Sequence, residues 1–264
     1  MRSDYKELLA YEDNGVLTIT FNRHDRLNVL SSTIKQEIMD CLREAQTDDS
    51  VKAIVLTGAG KAFCAGGDLN GFGGMDAVAA HQHMSQIGTI VSLITAMEKP
   101  IIAAVNGYAT GAGCNLALAC DIVFAAKSAK FCQSFRNVGL IPDGGGTYFL
   151  PRLIGPGKAK DLIFTGRMLT AEEAERMGLA TFVVDDERLQ SSVAEYARSL
   201  AAGPSVAIGM AKMLIHRSSQ CSLDEMLEYE RFAQALCMQT EDHQEGLLAF
   251  RQKRLPAFGS GKNE

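Results

Sequence analysis

The chain has 264 residues and carries 26 basic against 31 acidic side chains, a formal charge of −5 with histidine neutral. That balance, with the basic residues dispersed, excludes the electrostatic footprint of a nucleic-acid binder. At 47% hydrophobic and 22% charged residues the composition is that of a soluble globular protein, long enough for one large core or a core with an appendage.

Leu9 to Glu12 and Val16 to Phe21 read as strands joined by Asp13-Asn14-Gly15, a strong hairpin signal. Leu30, Ile34, Ile38 and Leu42 predict a helix, with Thr33 and Gln36 at capping-box spacing near its start. Val51 to Thr57 is a short apolar strand running into Gly58-Ala59-Gly60, and Ile87, Ile90, Leu93, Ile94 and Met97 mark one face of a second helix. Pro100 precedes a buried strand, Ile101 to Val105, closed by Asn106-Gly107. A helix from about Gly113, a strand over Ile122 to Ala125 and a glycine-rich turn from Pro142 to Gly146 follow. Thr170 and Glu173 form a capping box on a short helix ended by Gly178, and Thr181 to Val184 is a last short strand. Beyond Pro204, Ser222 with Glu225 caps a long helix carrying Met226, Tyr229, Phe232, Ala233, Leu236 and Cys237. The pattern predicts a mixed α/β core over 1–200 and a helical region over 201–264.

Asn106, Asn115 and Asp121 interrupt the long weakly polar stretch from Ile101 to Ala126, which argues against a membrane span. The opening MRSDYKELLAYEDNG lacks a continuous apolar segment and carries early acids, so neither a secretory signal nor a transit peptide is expected. Seven cysteines without a CxxC pair point to free thiols and a cytoplasmic, reducing compartment. His81 and His83 lack a Cys or carboxylate at metal-ligand spacing, so no metal site is expected and both are read as solvent-facing.

Two strand–glycine loop–helix junctions, Gly58 to Leu69 and Asn106 to Leu116, permit tight turns and close approach of backbone to a ligand. Neither matches a phosphate-binding GxxxxGK or a GxGxxG loop, and no GxSxG elbow is present. Asp143 stands out as a carboxylate between Pro142 and three glycines. From spacing alone the chain is a loop-rich α/β enzyme able to stabilise an anion, or a fold in which these are merely tight turns.

The same segments resemble the enoyl-CoA hydratase/isomerase (crotonase) family along nearly the whole chain. The resemblance is carried by Phe21-Asn22-Arg23 and Arg26-Leu27-Asn28, Thr57 to Leu69 (TGAGKAFCAGGDL) and Pro100 to Gly107 (PIIAAVNG). It continues through Tyr108 to Asp121 (YATGAGCNLALACD), Gly139 to Thr147 (GLIPDGGGT), Tyr148 to Gly155 and Gly166 to Ala174. It implies a spiral of repeated ββα units with a helical C-terminal trimerisation region, a homotrimer or dimer of trimers, and an acyl-coenzyme A thioester as substrate. Coenzyme A would be part of the substrate, with no separate cofactor.

By that resemblance the N–H groups of Ala65 and Ala112 form an oxyanion hole. The segment Arg26-Leu27-Asn28 lines the coenzyme A path, and the backbone from Phe63 through Asp68 to Leu69 reads the adenine. Lys253 approaches a phosphate or is a solvated cation, Asp68 is chiefly a structural partner of its loop, and Asp121 is structural. Asn70 to Ala80 contributes to the acyl pocket.

Hydratases of the family carry two glutamates where this chain has Asn115 and Phe135, neither able to act as a carboxylate base. Asp143 matches the acid of several family isomerases, and the run from Phe131 to Thr147 is similar to the phenylacetate-degradation isomerase subgroup, which acts on a ring epoxide of phenylacetyl-CoA. The resemblance therefore favours isomerisation through an enolate, with Asp143 moving the proton. Hydration of a 2-enoyl-CoA, thioester hydrolysis or dehalogenation, and noncatalytic acyl-CoA binding are the alternatives.

Overall fold

Asn14 and Gly15 both take left-handed backbone angles, φ 51° and 78°, as a two-residue turn between twisted strands requires. They join β1 (Leu8–Asp13) to β2 (Val16–Phe21), with Asp13 opposite Val16, in a computed structural model that describes residues 4–71 and 73–259. Helix α1 (Ser32–Thr47) is capped by Ser31, whose hydroxyl accepts the Ile34 N–H at 3.0 Å. The capping box expected from Thr33 and Gln36 does not form. Leu30 is held outside the helix because its N–H donates to the Gly66 carbonyl at 2.8 Å, so the first capping position falls at Ser31. Gln36 bonds to Asp40 instead.

Three ββα units follow. They are β3 (Ala53–Gly58), β4 (Ala62–Cys64) and α2 (Ala77–Ala96), then β5 (Ile101–Val105), β6 (Tyr108–Thr110) and α3 (Ala112–Leu118). The third is β7 (Ile122–Ala126), β8 (Lys130–Cys132) and α4 (Gly146–Thr165). After β9 (Met168–Thr170) and α5 (Ala171–Met177), β10 (Phe182–Val184) closes a six-stranded sheet in the order β1-β2-β3-β5-β7-β10. The second strand of each unit enters a four-stranded sheet, β4-β6-β8-β9. Within each sheet successive units add strands in parallel, which makes the chain wind as a spiral. Strands β3 and β5 are buried throughout, hence their unbroken apolar runs.

The capping boxes expected at Thr170–Glu173 and Ser222–Glu225 both form. Helix α6 (Leu189–Ala201) lies across β3, β5 and β7, and α7 (Ser205–Ser218), α8 (Leu223–Cys237) and α9 (Glu241–Gln252) make the helical C-terminal region. Lys212 ties α7 to the core: its Nζ meets Asp121 at 2.8 Å and donates to the carbonyls of Ile94 at 3.0 Å and Lys99 at 3.1 Å. Among the described residues no helix is long and apolar enough to cross a membrane.

Candidate active site

The two glycine-rich junctions meet where β4 and β6 end. A Cβ on Gly113 would lie 2.1 Å from the Cys64 carbonyl oxygen, and one on Gly66 (φ 100°) 2.9 Å from that of Thr110. Only glycine permits this approach, and it sets the Ala65-Gly66 loop against the first turn of α3. Ala112 is the first residue of α3, and no described residue accepts its N–H. The Ala65 N–H, by contrast, donates to the Leu27 carbonyl at 3.0 Å. Leu27 and Asn28 are both left-handed, at φ 50° and 56°. The buried Asn28 side chain fixes the turn by donating to Ala59 and Ala62 carbonyls and accepting the Arg23 N–H.

Asp143 sits in a turn that two left-handed glycines allow, Gly144 at φ 54° and Gly145 at φ 80°. Its carbonyl accepts the Gly146 N–H at 2.9 Å and Asn115 Nδ2 at 2.7 Å. Asn115 is fully buried, and its Oδ1 accepts from Gln133 Nε2 at 2.7 Å. Asn115 was expected to line the substrate pocket; the structure makes it a buried clamp on the Asp143 backbone instead. Phe135 is also buried, its ring edge 3.8 Å from the Cβ position of Gly111, the residue that caps α3.

The Asp143 carboxyl is half-buried, and its Oδ1 is buried without a hydrogen-bond partner. Burial pushes its pKa up, against the opposing pull of its own backbone N–H and of the Lys35 charge. Lys35 is itself buried, 4% exposed, and burial lowers its pKa. Its Nζ lies 3.4 Å from His83 Nε2. His83 was expected in solvent; it is half-buried against Lys35, and burial followed by the lysine charge lowers its pKa. Neither Lys35 nor His83 was marked by a motif. The available signal was a lysine one turn before Met39 on a helix flank that is otherwise core.

A cavity of about 380 Å³ opens beside this centre, lined by Arg23, Arg26, Val29, Ala65, Gly67, Asp68, Leu69 and Asn70. It gathers Arg26, Asp68 and Leu69 from the expected coenzyme A path. Burial acts to raise the Asp68 carboxyl, but bonds from the Asn70 backbone, Arg23 and the Asn70 side chain outweigh it and hold the pKa below the usual range. Arg23 also pairs with Glu7 at 3.1 Å, so Asp68 is an anchor of its loop. The Phe63 ring is wholly buried against Phe21, leaving only its backbone for a ligand. Leu27 is not among the lining residues and meets the cavity wall only by accepting the Ala65 N–H, and Lys253 caps the end of α9 without lining it. Within Asn70 to Ala80, residues 73–79 are exposed and Phe72 falls outside the described residues. Among the described residues no three His, Cys, Asp or Glu side chains are placed to hold a metal.

The family model for enoyl-CoA hydratase/isomerase matches residues 11–261. The chain is 40% identical to the 1,2-epoxyphenylacetyl-CoA isomerase of Escherichia coli K12, over 95% of this chain and 97% of that one. It is 36% identical to the crotonyl-CoA hydratase of Syntrophomonas wolfei, over 96% and 98% of the two chains. The crystal structure of an enoyl-CoA hydratase from Bacillus anthracis superposes with a TM-score of 0.91 at 38% identity, covering 95% of this chain and 98% of that one. With the spiral of ββα units and the paired glycine junctions already in place, these matches establish that the chain belongs to the enoyl-CoA hydratase/isomerase family.

Proposed function

We propose that the protein is an acyl-CoA isomerase in which one carboxylate moves a proton. The observation that carries this reading is Asp143: it is the carboxylate at the turn beside α3, while the amide of Asn115 is locked beneath it and Phe135 is an apolar wall. The thioester oxygen takes the Ala112 N–H and shares or displaces the Leu27 carbonyl on the Ala65 N–H. Charge developing on that oxygen is then met by preorganised dipoles. Asp143 removes the C2 proton of a 3-enoyl thioester, giving a dienolate, and returns the proton to C4. The pantetheine and nucleotide run along the cavity from Arg26 to Leu69, and coenzyme A enters only as part of the substrate. The relatives named as hydratases favour a second reading, addition of water to a 2-enoyl-CoA. That reaction needs a held and activated water, and the two positions of the hydratase glutamates offer no carboxylate here.

The apolar groove between α7 and α8, lined by Met210, Leu214, Leu227, Ala233 and Cys237, supports assembly as a homotrimer or dimer of trimers. Seven free cysteines favour a reducing, cytoplasmic location.

The test is incubation of the pure protein with a 3-enoyl-CoA and a 2-enoyl-CoA in deuterated water. The isomerase reading expects conversion of the first to the conjugated thioester with deuterium uptake, little hydration of the second, and loss of both conversion and uptake in D143N. Rapid formation of 3-hydroxyacyl-CoA that survives D143N would overturn it.

A further inference from the structure

Strand β10 is an outer strand of the six-stranded sheet, and a cavity of about 430 Å³ opens beside it, lined from α5, β7, β10 and α6. None of its lining residues belongs to the coenzyme A cavity or to the Asp143 turn. Phe182 stands opposite Phe124 in the parallel register of β10 on β7, and Tyr196 of α6 closes on both. The ring centroids lie 4.7 Å apart for Phe124 and Phe182, 5.3 Å for Phe124 and Tyr196, and 5.8 Å for Phe182 and Tyr196. Phe124 is buried, yet Phe182 keeps 40% of its surface exposed.

Glu175 of α5 and Glu195 of α6 bring two carboxylates to the same cavity, and among the described residues no basic side chain lines it. Glu175 uses one oxygen to accept the Val183 N–H at 3.1 Å, which blocks the strand edge against pairing and leaves recognition to side chains. Glu195 and the Tyr196 hydroxyl have no hydrogen bond or ion pair among the described residues. Two other tyrosines are covered by the chain's own arginines, Arg152 over Tyr148 at 3.6 Å and Arg217 over Tyr229 at 5.3 Å. Lys127, whose N–H donates to the Val184 carbonyl, is already paired with Asp185.

A ring face and a carboxylate attract the same kind of ligand, a cation. A guanidinium suits both at once: its plane stacks on a ring, its edge donors meet a carboxylate, and it sheds water more readily than an ammonium. Phe182, Glu175 and Glu195 are all exposed at the rim, so the cavity grips one end of a larger molecule and does not enclose a small one. We propose that this cavity is a docking site for an arginine side chain of a partner protein, stacked on the Phe182 and Tyr196 rings and held by Glu195 and the free oxygen of Glu175.

The test follows the Val183 and Val184 methyl resonances of the full-length protein during titration with acetyl-Gly-Arg-Gly-amide. Matched peptides carry citrulline or lysine in place of arginine. The arginine peptide should shift these methyls saturably, with a Kd on the order of millimolar for a single side chain. Citrulline, which keeps the shape and loses the charge, should bind about fivefold or more weakly, and lysine should also bind more weakly. Glu195 is exposed, so E195Q folds, and it should weaken the arginine peptide while leaving the citrulline peptide unchanged. Equal binding of citrulline would overturn the proposal, as would equal binding of lysine or the absence of a saturable shift up to about 20 mM. Choline that binds more tightly than the arginine peptide would place a small free cation there and overturn the partner-protein assignment.

Discussion

Asn115 Nδ2 donates to the Asp143 carbonyl oxygen at 2.7 Å while Asn115 Oδ1 accepts from Gln133 at the same distance. The side chain thus uses both ends of its amide to hold the turn that presents the candidate base. Asn115→Leu leaves Gln133 without that acceptor and the Asp143 carbonyl with the Gly146 N–H alone. The expected cost is about 1–3 kcal/mol of stability. The turnover of a 3-enoyl-CoA should fall at least tenfold with little change in KM, because the carboxylate loses its fixed position. Asn115→Glu should not create a hydratase. A Cβ on Gly146 would already sit 2.4 Å from Asn115 Nδ2, so the longer, charged side chain has no room. Thermal melts and a hydration assay check both variants; a gain of 3-hydroxyacyl-CoA in the glutamate variant would refute the clamp.

Titration of Asp143 ties stability to function. Burial raises its pKa, so the native state holds the proton more tightly than the unfolded chain does. The resulting stabilisation is complete below about pH 4 and is lost as pH rises through the raised value. Asp143→Asn should therefore raise the melting temperature at pH 8, with the gain shrinking toward pH 4, while it abolishes α-proton exchange. Lys35 opposes the rise with its charge, so K35M should move the acid limb of the exchange–pH profile upward. An acid limb that stays in place in K35M would show that the two charges are not coupled.

Legibility of the sequence followed the length of its signals. The hairpin at Asn14-Gly15, the buried runs of β3 and β5 and both C-terminal capping boxes were readable because each is a local device. The strands β4, β6, β8 and β9 have three residues each, too few for a period to register, and only their pairing in a second sheet defines them. Helix α4 contains Pro151 and Pro156 and is broken at Gly155 (φ 77°, ψ 157°), so its sequence carries breaker signals inside a helical span. At the site, the glycine junctions and Asp143 were visible as motifs. The roles of Lys35, His83 and Gln133 come from contacts across 48 residues between α1 and α2, and across 18 residues between Gln133 and Asn115. No local pattern encodes those separations.

The oxyanion hole can be probed by removing one hydrogen. Ala112 is the first residue of α3, a position where proline fits because its N–H has no helical acceptor. Ala112→Pro should keep a native circular dichroism spectrum and lower turnover by about 10²–10³, the usual loss for one such donor. Wild-type rates of deuterium uptake in a folded A112P protein would remove Ala112 from the mechanism and leave the Ala65 N–H, already bonded to Leu27, as an unsupported donor.

The fastening of α7 can be separated from the chemistry. Lys212 and Asp121 form an ion pair at 2.8 Å with both side chains largely buried, and the lysine's other donors go to two carbonyls. Asp121 also accepts the Ile101 N–H at 2.7 Å, so one carboxylate joins β5 to α7. Removing one partner of such a pair leaves the other charge stranded in the interior, at a cost of about 3–5 kcal/mol. Lys212→Ala should accordingly lower the denaturation midpoint sharply, whereas Lys212→Met with Asp121→Asn should recover much of the loss by removing both charges. Neither residue touches the turn of Asp143, so at temperatures where each variant is folded the rate of α-proton exchange should stay within about twofold of the parent. A double variant no more stable than Lys212→Ala would show that the carbonyl contacts, rather than the ion pair, hold the helix to the core.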